Sequence, residues 1–309
     1  KMYYPQEVDD IFLNEDTNIF DIEAAKRQKT RLLQGERTGT PVILYDDGEG
    51  VKHDFTDKVP ISNFPLKHTD LKDAPVVIYE FPVENPPYGL YVAGVDPYRQ
   101  GKSAYSSSLG SVYIYKRMHA IAGEKYQDMF VASYCARPDK KETWENQARY
   151  LIKYFNARTL CENDEISFID HMISKGDSQY LERQPSWLKE IVPNTTVRRD
   201  FGIHRSSEKI RDFLHGCLKK YSEEIIASDT NEDGEVISST KGMAKILDPL
   251  LLEEMIQYNE SGNFDRIIAA ELAIGLAMKL DPIMGKVGSQ EDVRLTSMHK
   301  NKKNKLFTK

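Results

Sequence analysis

The stretch YGLYVAGVDP, residues 88 to 97, constrains the fold more than any other. Both of its alternating faces are apolar: Leu90, Val92 and Gly94 fall on one, Tyr91, Ala93 and Val95 on the other. A strand that is apolar on both faces has to be covered on both, which places it inside a sheet with further layers on either side. Such a strand cannot hold an ionised carboxylate in its middle. Asp96 comes only where the apolar run ends, next to Pro97, which cannot donate to a ladder. Asp96 is therefore expected at a strand tip, either as an Asp-Pro turn start or as an acid facing a site.

The segment runs on into Gly101-Lys102-Ser103, the letters that close a GxxxxGK[ST] phosphate loop. The first glycine of that loop should stand where Asp96 stands. The following AYSSSLGSVYIYKR turns into a β-branched and aromatic run, whereas a phosphate loop opens into a helix. Spacing and context both speak against a nucleotide loop.

Residues 1–87 read as an N-terminal arm or linker. It contains a helix over Phe20 to Gln34, a hairpin in PVILYDDGEGVKHDF turned at Asp47-Gly48, and a strand in APVVIYEF. The Pro-rich FPVENPPYG then forms a stiff joint, and a boundary is expected there. From residue 88 to 285 the pattern is three strands (YGLYVAGV, GSVYIYKRM, DMFVASYCA), a helix over Lys141 to Ala157, a strand in ARTLCEN and a helix in ISFIDHMIS. Three meandering strands followed by a helical crossover to a parallel strand make a mixed α/β sheet flanked by helices. Further helices are expected over Ser206 to Ile225, with Ser206 as cap, and in LDPLLLEEMIQYN and NFDRIIAAELAIGLAMKL. The hairpin EEIIASDTNEDGEVISST carries Asp229, Asn231, Asp233 and Gly234 at calcium-loop spacing. The twelfth position is Thr240 rather than Glu, which favours a polar hairpin tip over calcium.

The formal net charge is −6, but residues 294 to 309 carry six Lys/Arg and no acid, leaving −12 for the rest. Residues 286–309 read as a basic flexible tail, either a phosphate-binding arm or a solvated end. Three scattered cysteines (Cys135, Cys161, Cys217) fit neither a disulfide framework nor a zinc cluster, and no apolar run reaches membrane-spanning length. A start on Lys1 suggests a piece of a longer chain.

Glu162 repeats the logic of Asp96, following the apolar end of a strand in TLCEND. Asp265 is the third acid. It lies in the first turn of the last helix and shares a face with Ile268, Ala269, Leu272 and Leu276. Helix-dipole capping would also explain it. If the strands bearing Asp96 and Glu162 are adjacent and the last helix crosses them, the three carboxylates converge. Like charges that close require cations, and oxygen ligands without His or Cys select magnesium or manganese. Two such ions about 3.5–4 Å apart would activate water and stabilise the leaving oxygen in phosphodiester cleavage.

The order GVDP, CEND and NFDRIIAAELAI resembles the three acidic motifs of the ribonuclease H-like nuclease domain in the large terminase subunit of tailed bacteriophages. YYPQEVDDIF is similar to the segment leading out of that family's ATPase domain, and GIHRSSEKIRDFL to its Gly-Ile, Ser/Thr, Lys/Arg stretch before a helix. The resemblance covers roughly residues 1 to 280 and implies a ribonuclease H-like fold. It implies Asp96, Glu162 and Asp265 as catalytic residues and ligands of two divalent metal ions, Mg²⁺ or Mn²⁺, in an endodeoxyribonuclease that cuts concatemeric viral DNA during packaging. The family often carries an acid pair at its last motif, and Asn263-Phe264-Asp265 offers one carboxylate, leaving Asp164 or a water to complete the second site. The implied partners are double-stranded DNA and, in the full-length chain, an ATPase domain, the portal and the small terminase subunit. The implied location is the packaging motor at the procapsid, in the cytoplasm of an infected bacterium.

An acidic body holds a polyanion poorly, so local cations must contact phosphates. Arg99, Lys102, Arg205, Lys209, Lys300, Lys302 and Lys303 are the candidates, with Arg198, Arg199 and Arg211 beside them. Another ribonuclease H-like enzyme, such as a resolvase or transposase core, and a non-catalytic docking module are the competing readings.

Overall fold

The doubly apolar stretches form the middle of a seven-stranded mixed sheet. In this computed structural model the described residues are 18–35, 39–62, 72–99, 108–117, 128–193, 200–230 and 236–280. The strands are β1 (Thr40–Asp46), β2 (Val51–Phe55), β3 (Val76–Ile78), β4 (Tyr91–Asp96), β5 (Gly110–Lys116), β6 (Met129–Ala136) and β7 (Arg158–Cys161). Their order is β2-β1-β3-β6-β5-β4-β7, and every pairing is antiparallel except β4 with β7. All residues of β4, β5 and β6 are buried, as expected of strands covered on both faces. The α/β class read from the sequence is thus the observed one.

The helices are α1 (Ile22–Leu33), α2 (Lys141–Phe155), α3 (Ser167–Ser174), α4 (Leu188–Ile191), α5 (Glu208–Glu223), α6 (Pro249–Gln257) and α7 (Asp265–Lys279). Two of them sandwich the sheet. On one face α2 packs its buried Trp144 so tightly over β5 that a Cβ on Gly110 would sit 2.3 Å from the indole, whose Nε1 donates to the Gly110 carbonyl at 3.0 Å. On the other face lies α7, which meets β4 at Gly94. A Cβ there would lie 1.9 Å from the Ala269 carbonyl oxygen, so only glycine lets the two backbones approach this closely. Local signals fix the helix starts: Asp21 caps α1 through the Ala24 N–H, and Asp248 caps α6 with Pro249 in its first turn.

Several expectations need correction. The joint at residues 81–87 does not separate an arm from the sheet, because β3 pairs with β6 and extends the same sheet through β1 and β2. A Pro-rich connection interrupts the ladder of one strand without preventing the next from joining the sheet. The residue capping α5 is Ser207 rather than Ser206, and its side chain makes no capping hydrogen bond. Arg211 instead reaches back to the carbonyls of Arg205 and Ser206, 3.1 Å from each. The expected hairpin forms as β8 (Ile225–Thr230) and β9 (Val236–Lys241). Its tip, with Asn231, Asp233 and Gly234, lies outside the described residues, as does the tail. No helix among the described residues is long and apolar enough to cross a membrane.

Candidate active site

The parallel pairing of β4 with β7 sets Val95 opposite Cys161 and so brings the next residues, Asp96 and Glu162, side by side at the ends of their strands. The Glu162 N–H donates to the Val95 carbonyl at 2.9 Å, locking this register one residue beyond β7. Asp96 has the same parity as Gly94, so it lies on the α7 side of the sheet. Asp265 opens α7 and is almost fully buried. Only the pairing order and the close packing of α7 at Gly94 bring together three acids that are up to 169 positions apart in the chain.

Their electrostatics reflect that convergence. Burial first, then the charges of Glu162 and Asp265, hold the Asp96 carboxyl well above its ordinary range, and the Glu162 carboxyl is within hydrogen-bonding reach. Arg205 opposes the rise. Burial pushes Asp265 up to about 6, against hydrogen bonds from the Leu109 N–H (2.7 Å), Ser108 Oγ (2.9 Å) and Asn263 Nδ2 (3.3 Å). Two of those donors share Oδ2 and one uses Oδ1, so among the described residues one lone pair of Oδ1 has no donor. Among the described residues no three His, Cys, Asp or Glu side chains are drawn together tightly enough to enclose an ion. The donor set is nevertheless all carboxylate oxygen, clustered in buried surroundings that penalise uncompensated charge, which fits a hard divalent cation.

The remaining predicted residues separate. Asp164 lies against the His204 ring. Arg99 and Lys209 are exposed, as a phosphate contact requires. Arg205 is not: it is buried, and its Nη2 pairs with Glu271 at 3.0 Å, so the expectation of a surface DNA contact does not hold. The chain over residues 201 to 205 docks beside β7, with Glu162 and Ile203 bridged in parallel and the Ile203 N–H donating to the Cys161 carbonyl. Gly202, at φ +76°, allows this close approach, since a Cβ would lie 2.5 Å from the Cys161 oxygen. That docking turns Arg205 inward. Lys102, Arg198, Arg199, Lys300, Lys302 and Lys303 lie outside the described residues.

Sequence reasoning missed Arg137. Its guanidinium sits 4.5 Å over the Tyr98 ring and donates to the carbonyls of Ser108 (2.6 Å) and Arg99 (3.1 Å), joining the segment after Asp96 to the segment that holds Asp265. Its position one residue past an apolar strand, like Asp96 and Glu162, was the available signal. Glu271 was also missed, although a lone acid in the apolar run AAELAIGLA stands out.

No protein-family model matches the chain, and no curated protein matches it.

Proposed function

We propose that this chain is a metal-dependent endodeoxyribonuclease of the ribonuclease H-like class, cutting concatemeric viral DNA during genome packaging. The observation that carries the reading is the meeting of Asp96, Glu162 and Asp265 at one end of the β4–β7 pair, under the N-terminus of α7. The meander β4-β5-β6 followed by the α2 crossover to a parallel β7 supports the same class, and the order of the three acidic motifs supports the terminase branch of it.

Asp96, Glu162 and Asp265 would hold the divalent ions, which when bound supply Lewis acidity toward the phosphodiester and lower the pKa of an attacking water. The protein's own part is positioning. The rigid β4–β7 register fixes two acids relative to each other, and Ser108 and the Leu109 N–H orient the third. Exposed Arg99 and Lys209 offer cations for the DNA backbone, and among the described residues nothing resembles a base-reading helix, so cleavage is expected to be independent of sequence. The test is incubation with supercoiled plasmid and Mn²⁺, with and without chelator. Nicking and linearisation that stop on chelation support the reading; cleavage that persists in chelator, or none at all, overturns it.

A further inference from the structure

Glu271 is the most anomalous residue of α7. Past Asp265 and Arg266 in the first turn, the buried residues of α7 are otherwise Ile, Leu, Ala and Gly, yet the Glu271 side chain is fully buried and both of its oxygens are engaged: Oε2 by Arg205 Nη2 at 3.0 Å and Oε1 by the His215 ring. The Tyr258 hydroxyl meets the other nitrogen of that ring at 3.1 Å. A continuous polar chain therefore runs Tyr258, His215, Glu271, Arg205 and ends 4.0 Å from the Glu162 carboxylate, where Arg205 Nη1 stands. Buried networks of this kind add little net stability over apolar packing of the same volume, which leaves room for a role other than stability.

Arg205 is anchored more firmly on the Glu271 side. It is only 7% exposed, and among the described residues its buried Nε finds no partner. The tether therefore stops the guanidinium short of a close bidentate pair with Glu162, leaving that carboxylate within the cation's field but not captured by it.

We propose that Arg205 is a positioning residue, tethered by Glu271 so that it steadies Glu162 and Asp96 while leaving their oxygens free for a divalent ion. The proposal rests on the metal-dependent reading above. It makes two changes act in opposite directions. Removing the Arg205 charge makes the acid pair more negative and tightens cation binding while disordering the site. Neutralising Glu271 releases the guanidinium to close on Glu162 and weakens cation binding.

The experiment is Mn²⁺ titration calorimetry on the parent, Arg205→Met, Arg205→Lys and Glu271→Gln, with near-ultraviolet circular dichroism to confirm folding and plasmid cleavage beside it. Arg205→Met is expected to bind Mn²⁺ about tenfold more tightly, a modest share of what a unit charge 4 Å away exerts. It should also cleave at least about tenfold more slowly, a split between affinity and rate that loss of packing alone does not produce. Arg205→Lys should return the affinity toward that of the parent, and Glu271→Gln should weaken it by about tenfold. Affinities that move the same way in Arg205→Met and Glu271→Gln, or do not move, overturn the proposal while leaving the parent's metal site standing. If Arg205→Met does not fold, an unchanged Mn²⁺ affinity in Glu271→Gln overturns it by itself. A parent that binds no Mn²⁺ removes the metal-dependent reading and this proposal together.

Discussion

Gly94→Ala adds one methyl group where β4 and α7 touch, and the structure gives its consequence directly. The new Cβ would stand 1.9 Å from the Ala269 carbonyl oxygen, 2.5 Å from the Ala273 nitrogen and 2.9 Å from the Leu272 Cβ. Unstrained contacts between such atoms are about 3.5–4.0 Å, so one backbone must retreat by more than about 1 Å. β4 cannot retreat easily, because it is hydrogen-bonded to β5 on one side and β7 on the other. α7 must move, and Asp265 moves with it, away from Asp96. Overpacking against backbone rather than a flexible side chain falls at the upper end of the usual range, about 3 kcal/mol. That corresponds to a fall in Tm of roughly 6–12 °C in a domain of this size. Calorimetric melting with and without Mn²⁺ measures both effects, and any stabilisation by the ion should shrink along with Tm. Gly216→Ala is the control: Gly216 is exposed on α5 with nothing within 4 Å of its added Cβ, so alanine should stabilise by about 0.5–1 kcal/mol. A Gly94→Ala protein that melts within about 2 °C of the parent would refute the reasoning that the approach at Gly94 fixes the position of α7.

Two further predictions follow from buried groups. Arg266 and Glu254 form an ion pair at 2.8 Å with both side chains buried, so Glu254→Gln leaves the guanidinium without its counter-charge and should cost about 3–5 kcal/mol in urea unfolding. Combining it with Arg266→Met should recover part of that loss; a double variant less stable than the single one would contradict the pairing argument. Cys135, Cys161 and Cys217 are all buried, and burial pushes the Cys135 thiol up to about 12, the Cys217 thiol to about 11 and Cys161 higher still. The folded protein at pH 8 should therefore react with Ellman's reagent at none of its three cysteines, and in urea at all three; fast reaction of any thiol in the native state would count against the described core.

The central strands were legible because their period is unmistakable: Leu90, Val92 and Gly94 against Tyr91, Ala93 and Val95 allow only a strand covered on both faces. The acids were legible for the same reason, since Asp96 and Glu162 stand where an apolar run can first tolerate charge and Asp265 breaks the apolar face of α7. Non-local pairing was not legible. Nothing near Val76–Ile78 says that these three residues join β6, more than 50 positions away, and the prolines after them suggested a boundary. The burial of Arg205 was hidden for a similar reason: HRSSEK is polar in sequence, and only the bridge between Glu162 and Ile203 turns the arginine inward. Glu271 and Arg137 show the complementary lesson, that a charge set inside or just after an apolar run merits attention even when no motif includes it.

The claim that three converging acids make this chain a nuclease is tested most directly by the rate of Mn²⁺-dependent plasmid cleavage in Asp96→Asn, Glu162→Gln and Asp265→Asn, each compared with the parent at equal concentration and with its fold verified. The account predicts that each single neutralisation lowers the rate by at least about 100-fold while the protein stays folded, because each acid contributes to the same charge-binding centre. Parental cleavage by any one of the folded variants would remove that acid from the site, and parental cleavage by all three would contradict the account.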